Sequence, residues 1–427
     1  MTKPDARRRE RAAHPRVGLF GLLGDGNTGN DASIESLVRY LRAEQPGMVL
    51  DAMCTGTARI TREYGIAAVP LYWQQDAITR LPRLVRLPLL ACARLADAFR
   101  IAAWVGRHEV VMVPGTGVLE ASLPIRPWET PFAMFMLSAS GRLLRTKVAL
   151  VSVGATPVDK RATRWLLNSA ARMAYYCSFR DDKSLAAMAQ RGVDTSRFKV
   201  YRDLVYGLAP PPYEPGDPGT VAVGVMTYDG TNNERDNGPE IHDAYLGCMK
   251  AFVGWLVDGG RRVRLVVGDK TDDVAVQEIL ADVRQRYPDL DPARVTATPA
   301  TSYADLVQTL TSAGAVVSTR FHNVLWALKL TRPVVSLGYA PKNLAVMEQA
   351  GLATYCQDAS RLDLDLLIRQ FTELEERWGQ LRPQVAERTA ASAAIVMQQF
   401  DELSELLFGR SAAGRPAAGL ESSAPAA

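Results

Sequence analysis

The sequence predicts an α/β protein built from two doubly wound domains that face each other across a cleft. Short β-rich runs alternate with longer helical patterns along the 427 residues, which is typical of parallel sheets covered by helices. Eight runs carry this prediction: RVGLFGLL, MVLDAMC, EVVMVPG, KVALVSVGA, TVAVGVM, RRVRLVVGD, GAVVSTR and RPVVSLGY. The proline-rich stretch GLAPPPYEPGDPG separates the first four from the last four, because its prolines block helix continuation and strand pairing.

These patterns divide the chain into five segments. We predict a basic flexible leader at 1–16, an N-terminal domain at 17–206, a linker at 207–219, a C-terminal domain with closing helices at 220–408 and a disordered tail at 409–427. In domains of this kind, ligands bind at the carboxyl ends of the strands. The loops that follow the strands are therefore the places to search for a site.

Composition excludes several classes of protein. Hydrophobic residues make up 47% of the chain and charged residues 22%, which suits a soluble globular protein. The formal charge of +4 is too small a bias to predict a nucleic-acid partner. The five cysteines are widely spaced without a CxxC pair, so we expect reduced, mostly buried thiols and no zinc site. With no apolar signal core and no uninterrupted spanning run, the expected location is cytoplasmic.

The segment 80–107 is basic and apolar at once. It carries six arginines and one aspartate among apolar residues. It fits a surface that rests on anionic lipid at the inner membrane face, or a groove for a lipid-linked acceptor. It also fits a pair of helices packed on the sheet with arginines that reach the solvent.

Two glycine-rich turns follow predicted strands of the first half. In GLLGDGNTGNDA, the glycines allow close backbone approach, and a helix expected to begin near Asp31 would aim N–H groups at an anion or a sugar hydroxyl. In VVMVPGTGVLEA, either Thr116 or Glu120 could contact a ligand. Both turns also fit simple strand-to-helix connections. The candidate ligand-loop residues are Asn27, Gly29, Asp31, Gly115, Thr116 and Gly117.

Two arginines are expected to follow strands directly. Arg180 follows a strand in AYYCSFRDDKS, where it could grip a carboxylate or phosphate or form a structural pair with Asp181 or Asp182. Arg320 follows the buried run GAVVST, with His322 two places later. A helix, NVLWALKL, begins beside these side chains and adds partial positive charge.

The next strand, PVVSLG, delivers Tyr339 and Lys342 to the same edge. A guanidinium, an imidazole, an ammonium and a helix N-terminus then meet at one locus, which suits a small polyanion. The acidic stretch GDKTDD at 268–273 fits a magnesium loop, but we favour a solvated helix start. The remaining histidines, His14, His108 and His242, have no metal partner at useful spacing, so we expect no metal.

The order of these motifs resembles the polysaccharide pyruvyl transferase family, over residues 17–352. The resemblance rests on GLLGDGNTGNDA, VPGTGVLE, VSVGA, SFRDDKS and above all VVSTRFHNVLWALKLTRPVVSLGYAPK. It implies two Rossmann-like domains of GT-B-like type that transfer the enolpyruvyl group of phosphoenolpyruvate to a sugar. The product is usually a ketal across two hydroxyls. The sequence departs from the family pattern where the acid stands at Asp31, one place late, and at RDLVYGL from Arg202.

The resemblance implies roles for the candidate residues. His322 would be the general acid or base, and Arg320, Arg180 and Lys342 would hold the donor's carboxylate and phosphate. Phe321 and Tyr339 would complete the donor site, and the glycine turns would face the acceptor. The implied acceptor is a sugar of an envelope polysaccharide or glycolipid, and phosphoenolpyruvate is a co-substrate with no further cofactor.

Two other functions fit the same residues. One is a nucleotide-sugar-dependent glycosyltransferase or epimerase on the same scaffold, since a basic strand edge also suits a diphosphate. The other is a non-catalytic, membrane-associated binding protein in which segment 80–107 carries the function and His322 is structural.

Overall fold

The computed structural model describes residues 15–44, 47–73, 78, 82–121, 125–230, 237–298 and 302–409. Nearly all of the predicted leader, with His14, and the predicted tail beyond residue 409 lie outside these ranges. Within them the chain forms two compact units. The first contains residues 15–25, 33–205 and 396–409, and the second contains 26–32 and 206–395. The predicted boundaries did not anticipate that 26–32 belongs to the second unit and 396–409 to the first.

The first unit is built on a seven-stranded parallel sheet in the order β3-β2-β1-β4-β5-β6-β7. Its strands are β1 (Arg16–Gly21), β2 (Val49–Cys54), β3 (Ala67–Pro70), β4 (Val110–Pro114), β5 (Lys147–Val153), β6 (Tyr176–Phe179) and β7 (Lys199–Val200). Its helices are α1 (Thr28–Glu44), α2 (Thr57–Tyr64), α3 (Arg83–Val105), α4 (Thr130–Leu144), α5 (Arg161–Met173) and α6 (Asp182–Gln190). Segment 80–107 therefore contains one helix of 23 residues over its described part, rather than a pair.

The second unit is built on a six-stranded parallel sheet in the order β10-β9-β8-β11-β12-β13. Its strands are β8 (Asp217–Val225), β9 (Arg262–Val267), β10 (Val295–Thr298), β11 (Ala313–Ser318), β12 (Val334–Gly338) and β13 (Cys356–Asp358). Its helices are α7 (Gly238–Asp258), α8 (Asp273–Arg286), α9 (Tyr303–Ser312), α10 (Phe321–Lys329), α11 (Pro341–Ala350) and most of α12 (Leu364–Phe408).

Both sheets have the strand order of a Rossmann fold. In each, the order reverses beside the first strand, between β1 and β4 in the first unit and between β8 and β11 in the second. The crevice at the carboxyl end of such a reversal is where open α/β sheets bind ligands. The central strands are buried: every residue of β4 is buried, as are the last four of β11. The predicted fold class is thus confirmed in each unit.

No helix in the described ranges is both long and apolar enough to cross a bilayer.

Candidate active site

The strand reversal of the second unit brings together the predicted donor-site residues other than Arg180, which lies in the first unit. Arg320 follows β11 after one residue and is the N-cap of α10, so His322 is the second residue of that helix. Tyr339 lies in the connection from β12 to α11, and Lys342 is the second residue of α11. Its Nζ lies 5.7 Å from the Phe321 ring centroid and 5.0 Å from that of Tyr339. The Phe321 and His322 rings pack edge to face, with their centroids 4.9 Å apart. All five residues therefore lie at one edge, as the sequence predicted.

Arg320 is held by a carboxylate that sequence reasoning assigned to solvent. Its Nε donates to Asp272 Oδ2 at 2.8 Å, and its Nη2 donates to Asp272 Oδ1 at 2.5 Å. Asp272 is completely buried and also accepts the backbone N–H groups of Asp269 at 3.1 Å and Thr227 at 3.2 Å. The expected solvated helix start is therefore wrong for Asp272. The guanidinium is fixed in one orientation at the strand reversal.

The charges of this pair depend on each other. Burial raises the pKa of Asp272, and the paired guanidinium opposes that rise. Burial also disfavours the charge of Arg320, but the hydrogen bonds and charge of Asp272 raise its pKa above the ordinary arginine value. Removing either partner would leave a buried charge without compensation.

The glycine turn at the start of α1 belongs to this same site. Asn27 caps the helix, because its Oδ1 accepts the N–H groups of Gly29 at 3.1 Å and Asn30 at 3.2 Å. Its Nδ2 donates to Asp269 Oδ2 at 3.1 Å. An ideal Cβ on Gly29 would lie 1.7 Å from His322 Nδ1, so the imidazole packs directly on the glycine backbone. Asn27 and Gly29, predicted to face the acceptor in the N-terminal domain, instead lie with His322 in the second unit.

The cap also moves the helix start and places the acid. Because Asn27 supplies the cap, α1 begins at Thr28 and not near Asp31. Asp31 is buried in the first turn, where its backbone N–H donates to the Asn27 carbonyl at 3.1 Å. Its negative charge lies where a helix N-terminus stabilises anions.

Helix N-termini add partial positive charge to the site. The carboxylates of Asp269 and Asp272 offset the charges of Arg320 and Lys342, and Asp31 lies in the first turn of α1. The first turns of α1, α10 and α11 all lie among these residues, and each N-terminus carries roughly half a positive charge. The arrangement therefore suits a small anion that can accept backbone N–H groups.

Buried polar groups fix the strand end behind the site. Thr319 Oγ1 and the Tyr245 hydroxyl lie 2.7 Å apart, and Asn343 Nδ2 donates to the Thr319 carbonyl at 3.1 Å. Neither amide atom of buried Asn323 hydrogen bonds with any described residue. An ideal Cβ on Gly224 would lie 2.8 Å from the Asn323 amide nitrogen. A buried amide of this kind is uncommon in folded proteins, and no sequence pattern singled it out.

The first unit has a different charge balance at its own strand edge. Arg180 follows β6 and is almost fully buried. Its Nη1 donates to Asp203 Oδ2 at 3.2 Å, its Nη2 pairs with Glu120, and its Nε lies 3.8 Å from Asp181 Oδ2. One guanidinium thus faces three carboxylates. This geometry favours the structural alternative for Arg180 over a direct clamp on an anion, and the main partners are Glu120 and Asp203 rather than Asp181 or Asp182.

The second glycine turn packs around this cluster. The Gly154 N–H donates to the Thr116 carbonyl at 3.1 Å, and the Gly115 N–H donates to the Val151 carbonyl at 2.8 Å. Ideal Cβ atoms on Gly117 and Gly154 would lie 2.7 and 2.1 Å from the Glu120 carboxyl group. The turn at 115–117 therefore keeps space for Glu120 within the first unit.

Among the described side chains, no group of three or more His, Cys, Asp and Glu residues is arranged to hold a metal ion. All five cysteines are free thiols, and Cys92 is exposed. Burial raises the pKa of Cys54 and Cys177 to about 12.

Solved structures identify the class of fold. The chain is similar to Anabaena HepE in complex with UDP, at 12% identity and a TM-score of 0.57 over 92% of this chain and 100% of that one. It is similar to the UDP-GlcNAc 2-epimerase of Neisseria meningitidis bound to UDP-GlcNAc, at 11% identity and a TM-score of 0.57 over 91% of this chain and 99% of that one. It is also similar to a glycosyltransferase from Rickettsia africae, at 9% identity and a TM-score of 0.56 over 92% of this chain and 99% of that one. The fold is that of two-domain, GT-B-like enzymes.

The sequence identifies the family within that class. The model of the polysaccharide pyruvyl transferase family matches residues 27–341, and the chain belongs to this family. It is therefore a transferase. No curated protein matches the chain at a significant level.

Proposed function

We propose that the protein transfers the pyruvate group of phosphoenolpyruvate to two hydroxyls of a sugar in an envelope polysaccharide or glycolipid, forming a ketal. The observation that carries the proposal is the meeting of His322 with a fixed guanidinium and helix N-termini at the strand reversal of the second unit. The family supports pyruvyl transfer to a polysaccharide. The charge pattern supports a small anionic donor.

The reaction needs one proton transfer to carbon and two attacks by hydroxyls. Protonation of the methylene carbon of phosphoenolpyruvate makes the adjacent carbon electrophilic, and the first sugar hydroxyl attacks it. Inorganic phosphate then leaves, and the second hydroxyl closes the ketal. As the two carbon–oxygen bonds form, one hydroxyl proton replaces the proton given to the methylene carbon, and the other leaves on phosphate. No oxidant or reductant is required.

Each residue at the carboxyl edge of the second sheet has a proposed role in this reaction. His322 moves the proton, because it lies in the first turn of α10 among these residues and an imidazole can give or take a proton near neutral pH. Arg320 and Lys342 stabilise the donor's carboxylate and phosphate, and Phe321 and Tyr339 form the walls beside the ammonium. Arg180, because it is surrounded by carboxylates, orients Glu120 on the acceptor side.

A second candidate function is transfer or epimerisation of a nucleotide-linked sugar. The solved structures of similar fold include complexes with UDP and UDP-GlcNAc. A helix N-terminus at a strand reversal also suits a diphosphate. The two candidates differ in the donor that the second unit binds.

Donor binding to the purified protein separates these candidates. We would measure thermal unfolding with phosphoenolpyruvate, inorganic phosphate, UDP and UDP-GlcNAc. A ligand at about 100 times its Kd stabilises the folded state by about 2.7 kcal/mol. We expect phosphoenolpyruvate to stabilise the wild type and to have no effect on Arg320→Ala. Stabilisation by UDP-GlcNAc alone would replace pyruvyl transfer by the second candidate.

The matched control is Arg261→Ala. Arg261 also forms a two-point ion pair, with Glu375 at 3.0 and 2.7 Å, but it lies directly before β9 and not at the carboxyl edge. This variant should keep the stabilisation by phosphoenolpyruvate. Loss of the effect in both variants would show only a general loss of stability.

Turnover tests the role of His322. We expect His322→Ala to lose phosphate release from phosphoenolpyruvate with envelope oligosaccharides as acceptors, while stabilisation by the donor remains. The expected loss is about 10²- to 10⁴-fold, the usual contribution of general acid–base catalysis. Wild-type turnover in His322→Ala would remove this residue from the mechanism.

A further inference from the structure

One face of α3 exposes an apolar stripe along the helix. Exposed residues recur every three or four positions, which places them on one side. The stripe consists of Val85, Leu89, Cys92, Leu95, Phe99 and Ala103. Leu95 is 63% exposed and Phe99 is 73% exposed. Side chains of this size are rarely so accessible in a continuous row on a soluble protein.

The opposite face of the same helix already supplies the packing of the fold. Ile101, Trp104 and Val105 are buried in the core of the first unit. The exposed stripe is therefore additional apolar surface that the sheet does not use.

The exposed face also lacks negative charge. The single acid in the sequence of α3 is Asp97, which is almost fully buried. Its carboxylate accepts from Arg94 at 2.9 Å and from Arg100 at 2.8 Å. Two arginines thus cover one carboxylate, and the helix keeps a net positive charge beside its apolar stripe.

A basic and apolar rim continues the stripe at the end of the helix. Arg107 is exposed just after α3, and α4 ends with exposed Arg142, Leu143 and Leu144, followed by exposed Arg145. Leu143 is 81% exposed. An ideal Cβ on Gly106 would lie 3.3 Å from Leu144 Cδ1, so the two helix ends adjoin. Exposed Glu109 offsets one of these charges.

We infer that this surface, the α3 stripe with the 142–145 rim, docks on an anionic lipid bilayer. An interfacial helix buries its apolar face in the headgroup boundary while basic residues meet anionic lipids. Both helix ends precede β4 and β5, so the rim lies at the amino edge of the first sheet. The carboxyl edge of that sheet, with Arg180 and Glu120, lies at the other end of the strands. The protein would dock on the membrane without covering that edge.

Vesicle sedimentation tests this inference independently of any transferase activity. The full chain is mixed with vesicles of phosphatidylcholine, with or without phosphatidylglycerol, at low and high salt. We expect binding to the phosphatidylglycerol vesicles and at least about tenfold weaker binding to neutral ones, with loss at high salt. Leu95→Ser/Phe99→Ser should bind at least about tenfold more weakly. Arg142→Gln/Arg145→Gln should bind the phosphatidylglycerol vesicles about fivefold more weakly for each arginine replaced.

Matched controls are exposed residues elsewhere. Val274, which is 58% exposed in α8, serves as Val274→Ser, and Arg62, whose side chain is 73% exposed in α2, serves as Arg62→Gln. Thermal unfolding confirms that each variant is folded. Equal binding of wild type and stripe variants, or no binding to any vesicle, would overturn the inference. A concentration-dependent dimer in light scattering that Leu95→Ser/Phe99→Ser abolishes, without vesicle binding, would assign the stripe to self-association instead.

Discussion

The contact between Gly29 and His322 shows how a residue without a side chain positions one with chemistry. The imidazole occupies the space where any Cβ at position 29 would lie. The backbone of Gly29 does not need a positive φ, since the glycines with such angles are others, including Gly24 and Gly26. The requirement at position 29 is therefore steric, and it belongs to the site rather than to the turn.

Gly29→Ala should displace His322 and reduce turnover. A catalytic group moved by about 1 Å can lose roughly 10²-fold in rate. We expect a fall in kcat of that size in the phosphate-release assay. Stabilisation by phosphoenolpyruvate should change little, because Arg320 is held by Asp272 and not by this contact.

A double variant provides the control. If Gly29→Ala acts only through the imidazole, adding it to His322→Ala should cause no further loss. A further large loss in the double variant would show that Gly29 has a separate role, such as backbone approach to the donor.

Asp272 carries the second prediction at this scale. Asp272→Asn keeps the size of the side chain but removes the charge that compensates buried Arg320. Breaking a buried pair from one side typically costs about 3–5 kcal/mol. We expect a loss of that order in urea unfolding, with partial recovery in Asp272→Asn/Arg320→Gln. The double variant should still fail to be stabilised by phosphoenolpyruvate. A change below about 0.5 kcal/mol in the single variant would contradict the assigned coupling.

The two arginines mark the limit of sequence reasoning for side chains. The spacing of Arg320, His322 and Lys342 around two strand ends predicted their meeting. The same reasoning treated GDKTDD as solvated, because whether Asp272 is buried depends on Arg320, 48 positions away. It left Arg180 open between a contact with the donor and a structural pair with Asp181 or Asp182, and it did not predict the pairs with Glu120 and Asp203, because both partners are distant in sequence.

At the scale of elements, the strands that the sequence predicted are the buried ones inside each sheet. The eight runs correspond to β1, β2, β4, β5, β8, β9, β11 and β12, and the strand predicted directly before Arg180 is β6. The four strands at the outer edges, β3, β7, β10 and β13, have between two and four residues each and did not stand out. An edge strand needs neither length nor two apolar faces, so it leaves little periodic signal.

The last part of α12 is an element whose role the sequence did not show. Gln399 is fully buried against the first sheet, where its Nε2 donates to Ser178 Oγ at 2.7 Å and its Oε1 accepts from Ser152 Oγ at 2.8 Å. Ser178 Oγ in turn accepts the Ser152 N–H at 2.9 Å. The helix is thus joined to β5 and β6 by hydrogen bonds as well as by packing.

Gln399→Leu should destabilise the protein more than the same substitution at the neighbouring Gln398. Each buried hydroxyl left without its partner costs about 1–3 kcal/mol. We expect a loss of that order in urea unfolding. Gln398→Leu, at an exposed position of the same helix, should stay within about 0.5 kcal/mol of the wild type. Equal effects of the two substitutions would mean that the hydrogen bonds contribute no net stability.

At the scale of the whole molecule, the sequence predicted two domains that divide near residue 206, but not the two short segments that belong to the opposite unit. Two copies of one strand order follow from two sets of βα units, which local patterns reveal. The assignment of 26–32 and 396–409 to units remote in sequence depends on tertiary contacts. Helix α12 is 45 residues long, and its amphipathic pattern continues past residue 395 without a break that could mark a boundary.

The division predicts how fragments behave. Residues 15–205 should not fold cooperatively on their own, because the segment 396–409 completes their core. Phe400 and Leu403 are fully buried, and the Phe400 ring stacks on Tyr40 at 4.3 Å. Burying such side chains contributes about 1.5–3 kcal/mol each. The segment therefore supplies a large share of the roughly 5–15 kcal/mol that stabilises a domain.

Restoring residues 396–409 to the fragment 15–205, as a separate peptide or by fusion, tests this division of the chain. We expect residues 15–205 to bind a hydrophobic dye and to lack near-ultraviolet circular dichroism. Fusion of residues 396–409 through a flexible linker should restore a sharp urea transition, and the same fusion with Phe400→Ser should not. If residues 15–205 unfold cooperatively without the segment, the helix is an accessory, and the predicted boundary at 207–219 describes the folding unit better than the contacts do.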